Sequence, residues 1–266
     1  MLRTILLSSA AVVALTSASF AADLPSRKAP AVAPYVAVPI FTWTGFYVGG
    51  DVGGAWTNDS VKTTVGGVPY LNTFKENASG VVGGLFAGYN WQTGANIVLG
   101  VEGDIEATSL NAKTTTFTTA EGALIPAGNV LASESLPWQG SVRARLGYAA
   151  GNALFYVTGG LAVAQINTKY TTLNTNTFEL IPGSNSFSST QAGWTLGGGI
   201  EYAFNPSWTL RAEYRYANFG GFKDNITQPG GAWDGVSAKH QVTENTVRVG
   251  IAYKFGAPAA AVVAKY

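Results

Sequence analysis

Eight segments of the chain have a strand-like pattern, most of them with a period of two that puts apolar residues on one side and polar or charged residues on the other. They cover residues 45–57, 80–91, 97–110, 136–149, 154–169, 191–203, 208–217 and 246–255. That alternation is the pattern of a β-strand with one apolar face. Most of the segments match or exceed the roughly 9 to 11 residues a tilted strand needs to cross a bilayer. The connections constrain the fold further. QTGAN, AGN and NPS are short turns after the second, fourth and sixth segments, whereas the connections near 58–79, 111–135, 170–190 and 218–245 are long and rich in Thr, Asn, Ser and Gly. Strict alternation of short and long connections fits a barrel whose two rims face different compartments. The expected fold is all-β, an eight-stranded antiparallel transmembrane up-and-down β-barrel over residues 44–255.

The two faces of the segments differ in kind. In VLGVEGDIEATS, residues 98–109, Glu102, Asp104 and Glu106 share one side, and Val101, Gly103, Ile105 and Ala107 the other. The next segment sets Arg143 and Arg145 opposite Val142, Ala144, Leu146 and Tyr148. Arg211, Glu213 and Arg215 alternate with Leu210, Ala212, Tyr214 and Tyr216, and Arg248 and Lys254 with Val249, Ile251, Tyr253 and Phe255. Asp51 and Glu201 also fall on the polar side of their segments. A basic side chain facing lipid at mid-membrane costs about 2–4 kcal/mol, so the charged face turns inward. Eight strands enclose only enough space for side chains to fill. Asp51, Glu102, Asp104, Glu106, Glu201 and Glu213 are therefore expected to pair there with Arg143, Arg145, Arg211, Arg215, Arg248 and Lys254, as a structural charge network. Every arginine after Arg27 lies on this face, while most lysines lie in or beside loops. That division suits the planar guanidinium, which grips carboxylates with two bonds, and the strongly hydrated ammonium. A selectivity filter or an acid pair is the other reading of these residues. Segment 154–169 is apolar on both sides, so its orientation stays open.

Aromatic residues gather where interfaces are expected. Phe46, Trp91, Tyr148, Tyr202 and Trp208 lie near the short-turn ends, and Trp56, Trp138, Trp194 and Tyr216 near the long-loop ends. The composition agrees with a Gly-rich β protein: 33 glycines, 12% aromatic and only 12% charged residues. The opening MLRTILLSSAAVVALTSASFA has a cation, a short apolar run and small residues before Ala21, so 1–21 reads as a secretory signal peptide cleaved after Ala21. Residues 22–43, rich in Pro and Ala, read as an extended tether. Without Arg3 the basic and acidic residues are equal in number, which gives no footprint for nucleic acid. There is no Cys and hence no disulfide framework.

With WTGFYVGGDVGGAW at 43–56, GLFAGYNWQ at 84–92, GVEGDIEAT at 100–108, VRARLGYA at 142–149 and VTGGLA at 157–162, the chain resembles the RopB-like small outer-membrane β-barrel proteins of alpha-proteobacteria. These are related to the OmpA transmembrane domain and the opacity proteins and are often described as porin-like. The resemblance implies an abundant protein of the cell outer membrane, in contact with lipid and lipopolysaccharide. RVGIAYKF also resembles the signal read by the barrel-assembly machinery, through Arg248, Gly250, Tyr253 and Phe255. It departs from that pattern because GAPAAAVVAKY, a C-terminal extension over 256–266, follows the aromatic residue that is normally last.

Three functions are compatible with such a chain. The leading expectation is a structural and surface-interaction barrel whose outer loops meet lipopolysaccharide, host or other surface molecules. A small low-conductance porin is the second, and haem or surface-ligand binding through the loops is a further alternative. Catalysis is not expected. His240, the only histidine, is read as a solvated loop residue, and no nucleophile motif surrounds Ser237. The Gly-rich stretches open no helix and so offer no phosphate site. No cofactor pattern and no metal spacing of histidines and carboxylates is visible.

Overall fold

The computed structural model describes residues 41–65, 68–69, 74–118, 128–174, 185–226 and 236–256. The signal peptide, most of the tether, the tips of the long connections and almost all of the C-terminal extension lie outside the described residues. Eight strands form the barrel: β1 Gly45–Val65, β2 Phe74–Gln92, β3 Ile97–Thr118, β4 Gly128–Ala150, β5 Ala153–Asn174, β6 Asn185–Ala203, β7 Trp208–Ile226 and β8 Val236–Lys254. Consecutive strands pair antiparallel, and β1 pairs with β8 from Tyr47↔Lys254 to Val65↔Val236, which closes the sheet. Closure leaves no open edge in the hydrocarbon, as lipid requires. Val68–Pro69 folds back onto the end of β1.

The strands are longer than the alternation alone suggests. The shortest have 19 residues; at about 3.3 Å per residue and a tilt of about 40°, this rises roughly 45–50 Å, against an apolar band about 25 Å tall. Pairing therefore continues past the membrane into segments expected to be loop. Their Thr, Asn and Ser residues keep strand geometry without an apolar face, and so hide the period-two signal. Three irregularities mark the transition: Ala107/Leu110 against β4, Ser135/Gln139 against β5, and Asn218/Gly221 between β7 and β8. Pro137, with no N–H to give, sits in the second, and Gly220, at φ 74°, in the third.

Outward residues form a continuous apolar band that includes Val52, Leu85, Ile105, Val142, Leu161, Leu196, Leu210 and Val249. The open orientation of segment 154–169 resolves. Phe155, Val157 and Leu161 face out, and Leu154, Tyr156, Thr158, Ala162, Ala164 and Ile166 face in. Its inward side is apolar because it crosses the apolar layers of the lumen as well as the charged one.

Inward residues are stratified along the barrel. At the short-turn end Trp43, Val98, Ala149, Leu154, Tyr156 and Ala203 pack together with Phe41. Trp43 is fully buried, its backbone N–H donating to Gln92 Oε1 at 2.8 Å and its indole to the Gly151 carbonyl at 3.3 Å. Residues 41–43, read from sequence as the end of an extended tether, are thus part of the packed barrel mouth. Above the charged middle lies a second apolar layer, with Val82, Leu110, Leu136, Ile166, Phe219 and Val242 at its centre.

Candidate functional site

The charged middle of the lumen is the densest concentration of polar chemistry among the described residues. Each strand delivers its charges there because alternate residues share a face and the register places them at one height. Glu102 pairs across β3/β4 with Arg143, Glu213 across β7/β8 with Arg248, and Glu201 across β6/β7 with Arg211.

Arg143 reaches Glu102 at 2.5 Å, Glu213 at 2.6 Å and Asp104 at 3.2 Å. Arg211 spans Asp51 at 2.7 Å and Glu102 at 2.8 Å. Arg215 holds Asp104 at 3.1 Å and also Glu106. Arg248 binds Glu106, with Glu213 at 2.5 Å and Asp51 at 3.5 Å. Arg145 pairs with Glu201 and approaches Glu102 at 3.9 Å. Five guanidinium groups therefore connect six carboxylates. Each of these side chains is almost wholly shielded from solvent. Burial of ions is costly unless they are paired and further hydrogen-bonded. The extra bonds are present: Tyr47 donates to Glu102 at 2.8 Å, Tyr156 to Glu213 at 2.8 Å, Thr209 to Glu201 at 2.6 Å and Gln139 to Glu106 at 2.9 Å.

Aromatic rings cover what the carboxylates do not. The Arg145 guanidinium lies 3.7 Å from the Tyr156 ring centre, and that of Arg211 lies 3.3 Å from Phe86. The two tyrosines reach their acids by lying over glycines on the neighbouring strand. Tyr47 is registered opposite Gly88, and Tyr156 opposite Gly199. A Cβ on Gly88 would sit 2.4 Å from Tyr47 Oη, and one on Gly199 2.7 Å from Tyr156 Oη. These glycines make room for a ring on the inner wall.

Lys254 is placed differently from expectation. It faces inward but lies at the short-turn end, where its ammonium donates to the Thr42 carbonyl and sits 4.7 Å from the Phe41 ring. Among the described residues no carboxylate ion-pairs with it, because no acid faces inward at that height. His240 also departs from expectation. It is a buried, inward-facing residue of β8, since that strand runs ten residues further toward the loops than its apolar face shows. Asp59, Glu134, Asp224 and Glu244 face inward for the same reason and were not legible as lumen residues. Glu244 accepts from Gln139 at 2.9 Å and from Thr246 at 2.8 Å.

The interface aromatics all lie on the outer wall. Phe46, Trp56, Trp91, Tyr148, Trp194, Tyr202 and Trp208 are exposed there, and Trp138 and Tyr216 partly so. Near the short turns, Tyr89 and Trp91, Trp208 and Tyr253, and Tyr253 and Phe255 are in ring contact. Toward the long hairpins Trp194 meets Tyr216 at 5.4 Å, and Trp138 donates to Gln165 at 2.5 Å. Of the residues resembling the assembly signal, Tyr253 and Phe255 face out, while Arg248 and Gly250 face in.

A closed eight-stranded sheet, an apolar exterior between aromatic rims and ions confined to the interior define an outer-membrane β-barrel protein. Residues 8–255 match the family described as the outer membrane protein beta-barrel domain, and the chain belongs to that family. It is 37% identical over 270 residues to the 31 kDa outer-membrane immunogenic protein of Brucella melitensis, covering 96% of this chain and 100% of that one. It is 30% identical over 219 residues to the 22 kDa outer membrane protein of Rhizobium leguminosarum bv. viciae, covering 82% and 80% of the two chains. Among solved structures, the outer membrane protein OprG from Pseudomonas aeruginosa shares the fold, with a TM-score of 0.51, 16% identity and coverage of 82% of this chain and 99% of that one.

Proposed function

We propose that the protein is a closed structural barrel of the outer membrane, without catalytic activity, whose lumen is plugged by the arginine–carboxylate network. Its role is to support the envelope and to carry the long hairpins that meet lipopolysaccharide and other surface or host molecules. The observation that carries this reading is the mutual engagement of five arginines and six acids between two apolar layers. Such a stack leaves an eight-stranded interior filled with side chains. The printed names of the Brucella and Rhizobium relatives, an outer-membrane immunogenic protein and an outer membrane protein, support a surface-exposed role. In this reading residues 1–21 are removed on export, and the barrel-assembly machinery reads the end of β8 through Arg248, Gly250, Tyr253 and Phe255.

A second reading, a low-conductance pore, is favoured by one feature: the Nε–H groups of Arg143, Arg145, Arg211, Arg215 and Arg248 find no hydrogen-bond partner among the described residues. Buried donors of this kind favour water in the lumen. Deletion and complementation test the structural role. Cells lacking the protein should take up a hydrophobic dye faster, and the full-length chain should restore the barrier. Unchanged dye uptake in the deletion strain would overturn it.

A further inference from the structure

Above the outer apolar layer a second polar cluster lies inside the barrel, built on a different chemistry from the ionic middle. Asp59 of β1, Glu134 of β4, Asp224 of β7 and His240 of β8 all face inward and are 1–5% exposed. Every arginine after Arg27 is engaged in the lower network, so none serves this height. Lys62 of β1, Lys223 of β7 and Lys239 of β8 are exposed on the outer wall at this height. Here three acids and one imidazole come together among the described residues.

We propose that this cluster is a binding site for a divalent first-row transition metal ion such as Zn²⁺, held by His240 and the carboxylates of Asp59 and Glu134, with Asp224 beside them. One donor atom each from Asp59, Glu134 and His240 lies within 4.8 Å of the others. Asp224 Oδ2 stands 3.6 Å from His240 Nε2. Ligands about 2.0–2.1 Å from a tetrahedral zinc are roughly 3.3 Å apart, so side-chain rotations of about an ångström bring the set into coordination. The ring is already oriented. Phe222 stacks on it with centroids 4.7 Å apart and planes 6° from parallel, and Nδ1 lies 2.6 Å from Asp59 Oδ2. Asp59 is fixed in turn by the Gln241 backbone N–H, which donates to Oδ1 at 2.9 Å.

The donor set selects the class of ion. One imidazole with carboxylates suits borderline and harder divalent transition metals, whereas calcium takes oxygen ligands alone and copper(I) prefers sulfur. Glu134 comes from the wall facing β8 and β1, so a bound ion would tie β4 to two strands with which it makes no direct pairing. The chain has one histidine and no cysteine, so any nitrogen-ligated site must involve His240.

The test uses the full-length chain after signal removal, refolded in detergent without a histidine tag, stripped with a chelator and titrated with Zn²⁺ by calorimetry. The expected result is one equivalent bound, with affinity reduced at least tenfold in both His240→Ala and Glu134→Gln. Co²⁺ substitution should give visible absorption bands that Glu134→Gln perturbs and His240→Ala removes. Retained heat-dependent gel mobility shows that each variant is folded, and Glu134→Gln serves if the histidine variant is not. No stoichiometric Zn²⁺ binding by the folded protein, or binding unchanged in both variants, would overturn the proposal.

Discussion

Replacing Arg143 with alanine is the perturbation that most directly probes the ionic interior. The wild-type guanidinium contacts three carboxylates, Glu102, Glu213 and Asp104, within 3.2 Å. After its removal Glu102 keeps Arg211 at 2.8 Å, Glu213 keeps Arg248 at 2.5 Å and Asp104 keeps Arg215 at 3.1 Å. No acid loses its last cation, yet six carboxylates then share four guanidinium groups in a space closed to solvent. Breaking a buried pair by removing one partner typically costs about 3–5 kcal/mol, so the loss expected here is about 3 kcal/mol or more. With a urea slope of about 1–3 kcal/mol per molar, the unfolding midpoint should fall by about 1–3 M. Tryptophan fluorescence of the refolded barrel reads the midpoint, and heat-dependent gel mobility confirms folding at zero denaturant. Glu213→Gln alone should also destabilise. The double variant should cost less than the two single changes combined, by about 1 kcal/mol or more, because the residues share one network. An Arg143→Ala unfolding free energy within about 0.5 kcal/mol of wild type would refute the claim that the network holds the interior together.

Three further outcomes follow from the same geometry. Gly88→Ala places a Cβ 2.4 Å from Tyr47 Oη and 2.6 Å from the Val101 carbonyl, and should lower stability by about 1–3 kcal/mol in the same urea assay. Leu161, 72% exposed on the outer wall, should cost about 2–4 kcal/mol as Leu161→Arg if it sits at mid-membrane, measured by reversible folding into vesicles. Trp43→Ala empties a fully buried position at the short-turn mouth and should cost about 3–5 kcal/mol, with faster proteolysis of the preceding residues as a second readout.

Much of this architecture was legible in the chain because lipid imposes a strict rule on it. Glu102, Asp104 and Glu106 at every second position, opposite apolar neighbours, have one place to go in a membrane, and the structure sets them among Arg143, Arg211, Arg215 and Arg248. The rule lapses where the membrane ends. Past Trp56 and before Thr246 the strands carry Thr, Asn and Lys on their outer wall, so nothing in the pattern separates a strand from a loop, and Asp59, Glu134, Asp224 and His240 went unread as lumen residues. Cross-strand register was equally hidden. That Gly88 lies opposite Tyr47, and Gly199 opposite Tyr156, depends on hairpin geometry rather than on any local signal. Parity puts Lys254 on the same face as the arginines, but parity gives only a side chain's face and says nothing of which acids stand at its height.

The central claim is that paired charges close the lumen, and single-channel recording tests it most directly. The refolded full-length protein should give no stable conductance steps in a planar bilayer, while the Arg143→Ala/Glu213→Ala double variant, if folded, should open small ones. Stable steps from the wild-type barrel would contradict the account and establish the inward charges as the lining of a pore.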